Sequence, residues 1–324
     1  DKDFAAEKLA EQLDADALII RTRTRCDETL LKGSKVSFIA TATIGYDHLD
    51  IEYLKRAHIT WTNCPGCNAN SVGQYIHSCL LLLEKEKGYN LSKTTVGLVG
   101  VGHVGHAVIE AIRPLGVQIL LNDPPQKEAL RKAGKPHEFF LKMEELQEKC
   151  DIISFHTPLI TKGPYPTFHL ANKTFFNALK KQPIIINTSR GAVVDNTDVL
   201  QALKDGIIRD AIIDTWENEP NINQELLNLI YIGTPHIAGY SADGKANATR
   251  MALTALCNHF HLPVTFQIRV PQLPEEELPE PNLTETERAL VLYNPHTDSL
   301  KLKSHPTMFE ELRGNYPLRR EFIE

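Results

Sequence analysis

The strongest constraint on the fold is a glycine-rich segment that lies well inside the chain. Residues 95–105, TVGLVGVGHVG, form a short apolar run followed by glycines at positions 100, 102 and 105. The apolar run is typical of a buried strand. The glycines allow a tight turn, a close approach of the backbone to a ligand and close packing of a helix on the strand. The segment therefore predicts a strand, a turn and a helix, which begin a βαβ unit.

Short apolar runs alternate with helical segments along most of the chain. We predict strands at residues 17–20, 38–41, 95–99, 118–121, 152–155, 184–187 and 211–214. Strands that are apolar on both faces are expected in parallel sheets covered by helices on each side. Because the glycine segment begins so far into the chain, we expect an α/β protein with two doubly wound, Rossmann-like domains. An active-site cleft is expected between these two domains.

The predicted domain boundaries follow from the position of the glycine segment. Residues 1–72 and 237–265 are expected to form a substrate-binding domain, and residues 73–236 the domain that carries the glycines. An acidic, proline-rich stretch at 271–281 indicates an exposed connection. We predict strands at 289–293 and 299–303 and a helix at 307–313, and hence a small α+β module over residues 266–324. Modules of this size are often stabilised by a partner, so we expect a homodimer.

The composition argues against several classes of function. The chain has 35 basic and 41 acidic residues, a net charge of −6, so it offers no surface suited to nucleic acid. Its longest apolar run, Ile76–Leu83, is too short to span a membrane, which takes ~20 residues. Six scattered cysteines fit free thiols in a reducing compartment, so we expect a cytoplasmic protein.

The glycine segment also predicts a nucleotide cofactor, whose pyrophosphate would bind the amides at the start of the following helix. The next strand is followed by Asp123, 18 residues beyond Gly105. An acidic residue at this position is expected to bind a ribose 2′-hydroxyl and to repel a 2′-phosphate. We therefore predict NAD as the cofactor. The residues predicted to bind it on this basis are Gly100, Gly102, His103, Val104, Gly105 and Asp123.

Three charged side chains follow successive strands late in the chain, namely Arg190, Glu219 and His236. The carboxyl ends of parallel strands meet at one edge of a sheet, so we expect these side chains to lie close together. Arginine can bind a carboxylate with two hydrogen bonds, and histidine can take up a proton near neutral pH. A glutamate bonded to the imidazole fixes its tautomer. The three residues together predict the removal of hydride from a hydroxy acid.

No metal site is predicted. His103 and His106 lie at variable positions of the glycine segment, and no cluster of carboxylates or cysteines accompanies them. Cys64 and Cys67 have the spacing of a redox pair, but they flank a Pro-Gly turn, and the other cysteines add no paired spacing.

These motifs resemble those of the D-2-hydroxyacid dehydrogenase family, whose members carry Arg, Glu and His in this order after the glycine segment. Other similar segments are ATATIGYDH at 40–48, PGCNA at 65–69, FHTPL at 155–159 and LRGNY at 312–316. The resemblance implies that Arg190 and Glu219 are active-site residues and that His236 is the acid/base. It also implies contacts with NAD from Thr157, Asp214 and Gly239, and contacts with the substrate from Thr22, Thr43, Arg190 and Tyr240.

Within that family, the resemblance implies oxidation of 4-phospho-D-erythronate to 2-oxo-3-hydroxy-4-phosphobutanoate in the biosynthesis of pyridoxal 5′-phosphate. One alternative is a dehydrogenase of another D-2-hydroxy acid, such as glycerate, phosphoglycerate or lactate. A more remote alternative is an NAD-sensing binding protein that is similar to the C-terminal-binding-protein corepressors. Family members have a strand and a helix before the position of Asp1, so we expect the first domain to lack its first strand.

Overall fold

The computed structural model describes residues 14–321 of the chain. The chain divides into two compact units. The first unit comprises the residues up to Asn68 together with Ser241–Gln272, and the second comprises Ala69–Tyr240 together with the residues from Leu273 onward. The C-terminal residues from Leu273 therefore belong to the same unit as the glycine segment.

All the strands in the described part of the chain belong to parallel sheets. In chain order they are β1 (Ala17–Ile20), β2 (Phe38–Thr41), β3 (Thr60–Thr62), β4 (Thr95–Val99), β5 (Gln118–Asn122), β6 (Ile152–Phe155), β7 (Ile184–Asn187), β8 (Asp210–Ile213) and β9 (Ile232–Gly233). The first three form one sheet in the order β1-β2-β3, and the other six form a second sheet in the order β5-β4-β6-β7-β8-β9. All seven predicted strands in the body of the chain are confirmed to within a residue at either end.

The helices alternate with these strands, and the described residues after β9 form helices and no further strand. They are α1 (Glu28–Leu31), α2 (Ile51–Arg56), α3 (Ala69–Lys87), α4 (His103–Ile112), α5 (Pro124–Lys132), α6 (Met143–Lys149), α7 (Lys173–Asn177), α8 (Asn196–Lys204), α9 (Gln224–Leu229), α10 (Ala242–His259), α11 (Glu285–Leu292), α12 (Pro295–Ser304) and α13 (Phe309–Gly314). Short 3-10 helices occupy Leu91–Lys93, Arg113–Leu115, Gly191–Val193, Glu275–Glu277 and Pro306–Met308.

In the first unit, the three-stranded sheet is covered on both faces. The central strand β2 is buried along its whole length, as expected of a strand between two layers. Helix α10 covers one face, where Ala248 and Ala252 pack with Phe38, and the Phe38 ring stacks on His259 at 4.7 Å. On the other face Ile39 and Leu54 belong to a separate apolar cluster. Parallel pairing places the ends of β1 and β2 at the same edge.

The second unit is built on the six-stranded sheet, and it holds the glycine segment. Its strands pair in parallel throughout, so all six end at the same edge. One face packs on α3 and α4, with Tyr75, Leu80 and Val108 fully buried. The opposite face packs on another apolar cluster that includes Phe155 and Trp216.

The C-terminal residues are helical, so the prediction of a small α+β module is wrong. Residues 289–293 and 299–303, predicted as strands, lie largely in α11 and in α12. Local capping decided this, because Thr284 and Glu287 form a capping box that starts α11, and Asn294 caps α12 just before Pro295. These helix start signals outweigh the apolar composition of the two segments, which had suggested strands. Ser299 of α12 accepts a hydrogen bond from the Gly233 amide at 2.9 Å, beside the edge strand β9.

Two groups of residues noted in the sequence lie in the protein interior. The apolar run Ile76–Leu83 is the buried middle of α3, and no helix within residues 14–321 is long and apolar enough to cross a membrane. The six cysteines all lie in the described part of the chain, where each is buried and none forms a disulfide. The prediction of free thiols is therefore confirmed.

Helices α3 and α4 pack so closely that one glycine is required between them. A Cβ atom at Gly73 would lie 2.8 Å from the Ala107 carbonyl oxygen and 3.3 Å from the Ala111 Cβ. We expect Gly73→Ala to lower the free energy of unfolding by about 1–3 kcal/mol through overpacking, although alanine normally favours a helix by about 1 kcal/mol over glycine. Urea unfolding followed by circular dichroism measures this change.

The matched control is Ala129→Gly on the exposed face of α5. There glycine should cost about 1 kcal/mol, the ordinary helix propensity. A Gly73→Ala variant as stable as the unmodified protein would show that the contact between α3 and α4 can relax without cost.

Candidate active site

The glycine segment forms a tight turn between β4 and α4. Gly100 has φ +91°, and a Cβ there would lie 2.8 Å from the His156 carbonyl oxygen. A Cβ at Gly105 would lie 2.4 Å from the Gly100 carbonyl oxygen, so only glycine fits at either position. By contrast, a Cβ at Gly102 would meet no heavy atom within 4 Å. The backbone at Gly102 is thus open to a ligand, directly before His103 and Val104 at the start of α4, where a helix offers unpaired amides.

Asp123 follows β5 and caps α5. Its Oδ1 accepts a hydrogen bond from the Gln126 amide at 2.9 Å, and its Oδ2 accepts one from the Val101 amide at 2.8 Å. The Gln126 side chain also donates to Asp123 Oδ2 and to the Val101 carbonyl oxygen. The carboxylate is therefore fixed beside the glycine turn, where the sequence predicted a contact with the adenosine ribose.

Two residues just after β6 border the same turn. His156 is buried, and burial lowers its pKa to about 3, so the ring is neutral at physiological pH. Its Nε2 lies 2.9 Å from the Ser154 hydroxyl and its Nδ1 lies 3.2 Å from the Thr188 hydroxyl. Thr157 Oγ1 is buried and has no hydrogen-bond partner within the described residues. Such an orphaned polar atom fits a bound cofactor, because buried hydroxyls normally have partners.

The residues present therefore fit a dinucleotide. The open backbone at Gly102, the helix terminus, the oriented Asp123 and the unpartnered Thr157 all lie at the carboxyl edge of β4, β5 and β6. This edge is where open parallel sheets bind their ligands. Gly239, also predicted to contact NAD, lies in the turn after β9 at the same edge of the sheet.

His236 and Glu219 form a close pair in the second unit. His236 Nδ1 lies 2.8 Å from Glu219 Oε2, and Glu219 Oε1 accepts a hydrogen bond from the Trp216 amide at 2.8 Å. Burial raises the pKa of the Glu219 carboxyl. The hydrogen bond and charge of His236, the Trp216 amide and the Arg313 charge outweigh that effect and leave the pKa below its usual value. Glu219 is therefore ionised and can stabilise an imidazolium.

The other ring nitrogen of His236, Nε2, makes no hydrogen bond within residues 14–321 and is available to a substrate hydroxyl. The His236 backbone has φ +55°, in the left-handed region that costs a non-glycine residue energy. Strain of this kind is often found at functional sites, where surrounding contacts impose it.

Asp214 imposes the conformation of the turn that carries His236. Its buried carboxylate accepts hydrogen bonds from the Ile237 amide at 2.7 Å, the Ala238 amide at 3.0 Å and the Thr234 hydroxyl at 2.7 Å. Burial raises the pKa of Asp214, while the His236 charge and these donors act in the opposite direction. In this structure Asp214 binds the protein's own backbone, and its contact with NAD stays a prediction.

Arg190 follows β7 in a loop fixed by neighbouring polar groups. Asn187 Nδ2 donates to the Arg190 carbonyl oxygen at 3.0 Å, and Arg190 Nη1 donates to the Ser189 carbonyl oxygen at 2.8 Å. His156 binds Thr188 in the same loop. The carboxyl edge of the larger sheet thus carries Arg190, Glu219 and His236, as their positions after β7, β8 and β9 predicted.

The predicted substrate contacts are divided between the two units. In the first unit, Thr22 is exposed just after β1, and Thr43 follows β2 and donates a hydrogen bond to the Gly45 carbonyl oxygen at 2.8 Å. In the second unit, the Tyr240 hydroxyl accepts a hydrogen bond from Arg313 Nε at 3.2 Å. The roles of these residues toward a substrate stay predictions.

Sequence reasoning missed three residues at this site. His156 lies in the FHTPL segment at 155–159 but was not predicted as a site residue. Arg313 was noted only within the C-terminal segment at 312–316, and Arg319 was not predicted as a site residue, yet Arg313 Nη1 lies 3.9 Å from Glu219 Oε2. Arg319 is buried and donates to the carbonyl oxygens of Ile237 at 3.3 Å and Ala238 at 2.7 Å. No local pattern could have placed these arginines, because 73 to 94 residues separate them from Glu219, Tyr240, Ile237 and Ala238.

Within the described residues, one group of side chains offers potential metal ligands, and it includes Glu217, two residues before Glu219. His169, Asp195 and Glu217 have ligand atoms within 4.8 Å of one another. The His169 ring already meets a carboxylate on each side, with Nε2 2.7 Å from Glu217 and Nδ1 3.1 Å from Asp195. The three side chains are thus satisfied as a hydrogen-bonded cluster.

Comparison with known proteins agrees with this geometry. The family model for the NAD-binding domain of D-isomer specific 2-hydroxyacid dehydrogenases matches residues 80–238. Relatives that are 40–54% identical and align with 97–99% of this chain are also dehydrogenases. The chain belongs to the D-isomer specific 2-hydroxyacid dehydrogenase family, whose members are NAD-dependent oxidoreductases.

Within this family, the chain is similar over nearly its whole length to the erythronate-4-phosphate dehydrogenases. It is 54% identical to the one from Bacteroides fragilis over 320 residues, 99% of this chain and 89% of the relative. It is 40% identical to the one from Escherichia coli O157:H7, with 97% and 84% of the two chains covered.

Solved structures show the same architecture. NAD⁺-bound 3-phosphoglycerate dehydrogenase from Entamoeba histolytica aligns with a TM-score of 0.66 at 27% identity, over 83% of this chain and 86% of that one. D-Lactate dehydrogenase from Aquifex aeolicus, solved with NAD and lactic acid, aligns with a TM-score of 0.65 at 22% identity, over 80% and 86%. The second likeness concerns the fold alone.

The position of Asp123 predicts the choice of cofactor. We expect Asp123→Asn to raise the ratio of kcat/KM with NADP to that with NAD by about tenfold, because the 2′-phosphate no longer meets a negative charge. Asparagine is also a good helix cap, so α5 should be retained. Steady-state kinetics with each cofactor measures the ratio. An unchanged ratio would mean that Asp123 does not face the ribose.

Proposed function

We propose that this protein oxidises 4-phospho-D-erythronate at C2, with NAD⁺, to 2-oxo-3-hydroxy-4-phosphobutanoate, as a step in pyridoxal 5′-phosphate biosynthesis. The observation that carries the proposal is the 2.8 Å pairing of His236 with an ionised Glu219 at the sheet edge that also bears Arg190. The similarity to erythronate-4-phosphate dehydrogenases over nearly the whole chain supports this choice of substrate.

Each of the three residues has a distinct task in this proposal. Arg190 binds the substrate carboxylate and orients C2, because a guanidinium stays charged and forms two parallel hydrogen bonds. His236 removes the C2 hydroxyl proton through Nε2. Glu219, bonded to Nδ1, stabilises the imidazolium that results. The fixed turn around Asp214 keeps His236 in place while the proton moves.

The residues of the glycine turn, with Asp123, Thr157, Asp214 and Gly239, are proposed to hold NAD. The nicotinamide ring, when bound, supplies the acceptor for the hydride that leaves C2. On the substrate, Thr22, Thr43 and Tyr240 are proposed contacts. Arg21 and Arg23, which flank Thr22, are proposed to supply positive charge for a phosphate.

Two further features belong to the proposal. The C-terminal helices α11 to α13 are proposed to form a homodimer interface, since α11 and α12 present Val291 and Leu300 to solvent, each more than half exposed. A cytoplasmic location is proposed because six free, buried thiols suit a reducing compartment.

Turnover tests the proposal. We expect NADH to form with 4-phospho-D-erythronate and turnover to be lost in Arg190→Ala. His236→Asn should lower the rate by ~10²–10⁴-fold, the usual contribution of acid/base catalysis. Asparagine tolerates the left-handed backbone at this position. The matched control is His261→Asn, at an exposed histidine that also has φ +55° and should keep full activity.

The same assay decides among the alternatives when D-glycerate, 3-phospho-D-glycerate and D-lactate are included. A higher kcat/KM with any of these than with phosphoerythronate would overturn the substrate and leave the class of enzyme intact. Binding of NAD without turnover of any acid would instead favour an NAD-sensing protein.

A further inference from the structure

Arg313 is a partly buried cation that reaches the proposed acid/base pair from the C-terminal helices. Its side chain is 18% exposed, and its Nη1 lies 3.9 Å from Glu219 Oε2, the same oxygen that meets His236 Nδ1 at 2.8 Å. Its Nε donates a hydrogen bond to the Tyr240 hydroxyl at 3.2 Å. One carboxylate oxygen is therefore shared between an imidazole and a guanidinium.

We propose that Arg313 is a positioning residue that holds Glu219 and Tyr240 and keeps the His236–Glu219 pair ready to accept a proton. The inference rests on the proposed role of His236 as the base. It assigns to α13 a contribution to catalysis in addition to any part in dimer formation.

The physical reason is competition for one negative charge. When the pair takes up a proton, the imidazolium must share Glu219 with a guanidinium that never loses its charge. A neighbouring cation disfavours a second cation, so Arg313 makes protonation of the pair harder. In the oxidative direction the pair must be unprotonated before it can receive the hydroxyl proton. Arg313 thus extends the activity to lower pH.

The other charged groups around these residues do not cancel this effect. Asp214 faces His236 but is bonded to two amides and a hydroxyl. Glu310 lies 3.7 Å from Arg313 Nη1, and its side chain is about half exposed. Water therefore screens the charge of Glu310 more than the charge of Glu219. The Tyr240 hydroxyl accepts from Arg313 and carries no formal charge while protonated.

The anchoring of α13 makes Arg313 a fixed cation. Phe309, at the start of α13, is fully buried in the apolar cluster that also contains Trp216 and Leu302. Trp216 in turn donates its amide to Glu219. The same packing therefore holds both the guanidinium and the carboxylate, so little side-chain entropy is lost when they meet.

The test is the pH dependence of kcat/KM for hydroxy acid oxidation in Arg313→Met. We expect the acidic midpoint of the profile to move up by about 0.5–1 pH unit. Activity below the midpoint should fall about three- to tenfold more than activity on the plateau at higher pH. Arg313→Lys keeps the charge and should keep the midpoint.

The matched control is Arg288→Met, which removes a charge from an exposed position on α11 and should leave the profile unchanged. Should Arg313→Met fail to fold by circular dichroism, Arg313→Gln removes the charge with a polar side chain and serves in its place. A profile that superimposes on that of the unmodified enzyme, or an equal loss at every pH, would overturn the proposal. Either result would leave Arg313 with a structural role alone.

A second readout separates this inference from the proposed function. The ring signal of His236 in the nuclear magnetic resonance spectrum, assigned by its loss in His236→Asn, can be followed against pH without substrate. We expect its titration midpoint to rise in Arg313→Met and not in Arg313→Lys or Arg288→Met. A rise without turnover of any hydroxy acid would uphold the effect of Arg313 on the His236–Glu219 pair and reject the proposed function, and an unchanged midpoint would reject the inference whatever the turnover.

Discussion

The turn that carries His236 depends on two buried charges that bind its backbone from different residues. The Asp214 carboxylate accepts hydrogen bonds from the amides of Ile237 and Ala238, and the Arg319 guanidinium donates to the carbonyl oxygens of the same two residues. Burying a charge is costly unless its hydrogen bonds are satisfied, so this arrangement is stable only in one geometry. It holds the strained His236 backbone and presents the ring to Glu219.

The C-terminal helices thereby become part of the candidate site. Their segment supplies Arg319 to the turn, Arg313 to Glu219 and Ser299 to the edge strand β9. The edge strand β9 has a strand partner on one side only, and Ser299 of α12 satisfies its Gly233 amide on the other side. The C-terminal segment, for which the sequence suggested only a role in association, thus also supports the part of the sheet from which His236 extends.

The parts of this fold that could be predicted from the sequence are those that depend on residues close together in the chain. The strands of the second unit were predictable because a strand buried on both faces must be apolar along its length, as in the Ile184–Asn187 segment. Parallel topology places the carboxyl ends of the strands before Arg190, Glu219 and His236 at one edge of the sheet, where the structure pairs Glu219 with His236. The C-terminal strands were wrong because two helix caps, at Thr284 and Asn294, outweighed the apolar composition that suggested β-structure.

By itself, the sequence determined the parallel α/β class, the glycine turn and the three charged residues at strand ends. Each of these depends on residues close together in the chain or on the direction of the strands. Only the tertiary structure decided that Glu219 Oε2 is shared by His236 and Arg313, and that Asp214 and Arg319 bind the same turn. The physical reason is distance along the chain. These contacts of the two arginines span 81 to 94 residues, so they leave no periodicity in the sequence and exist only after the C-terminal helices have packed.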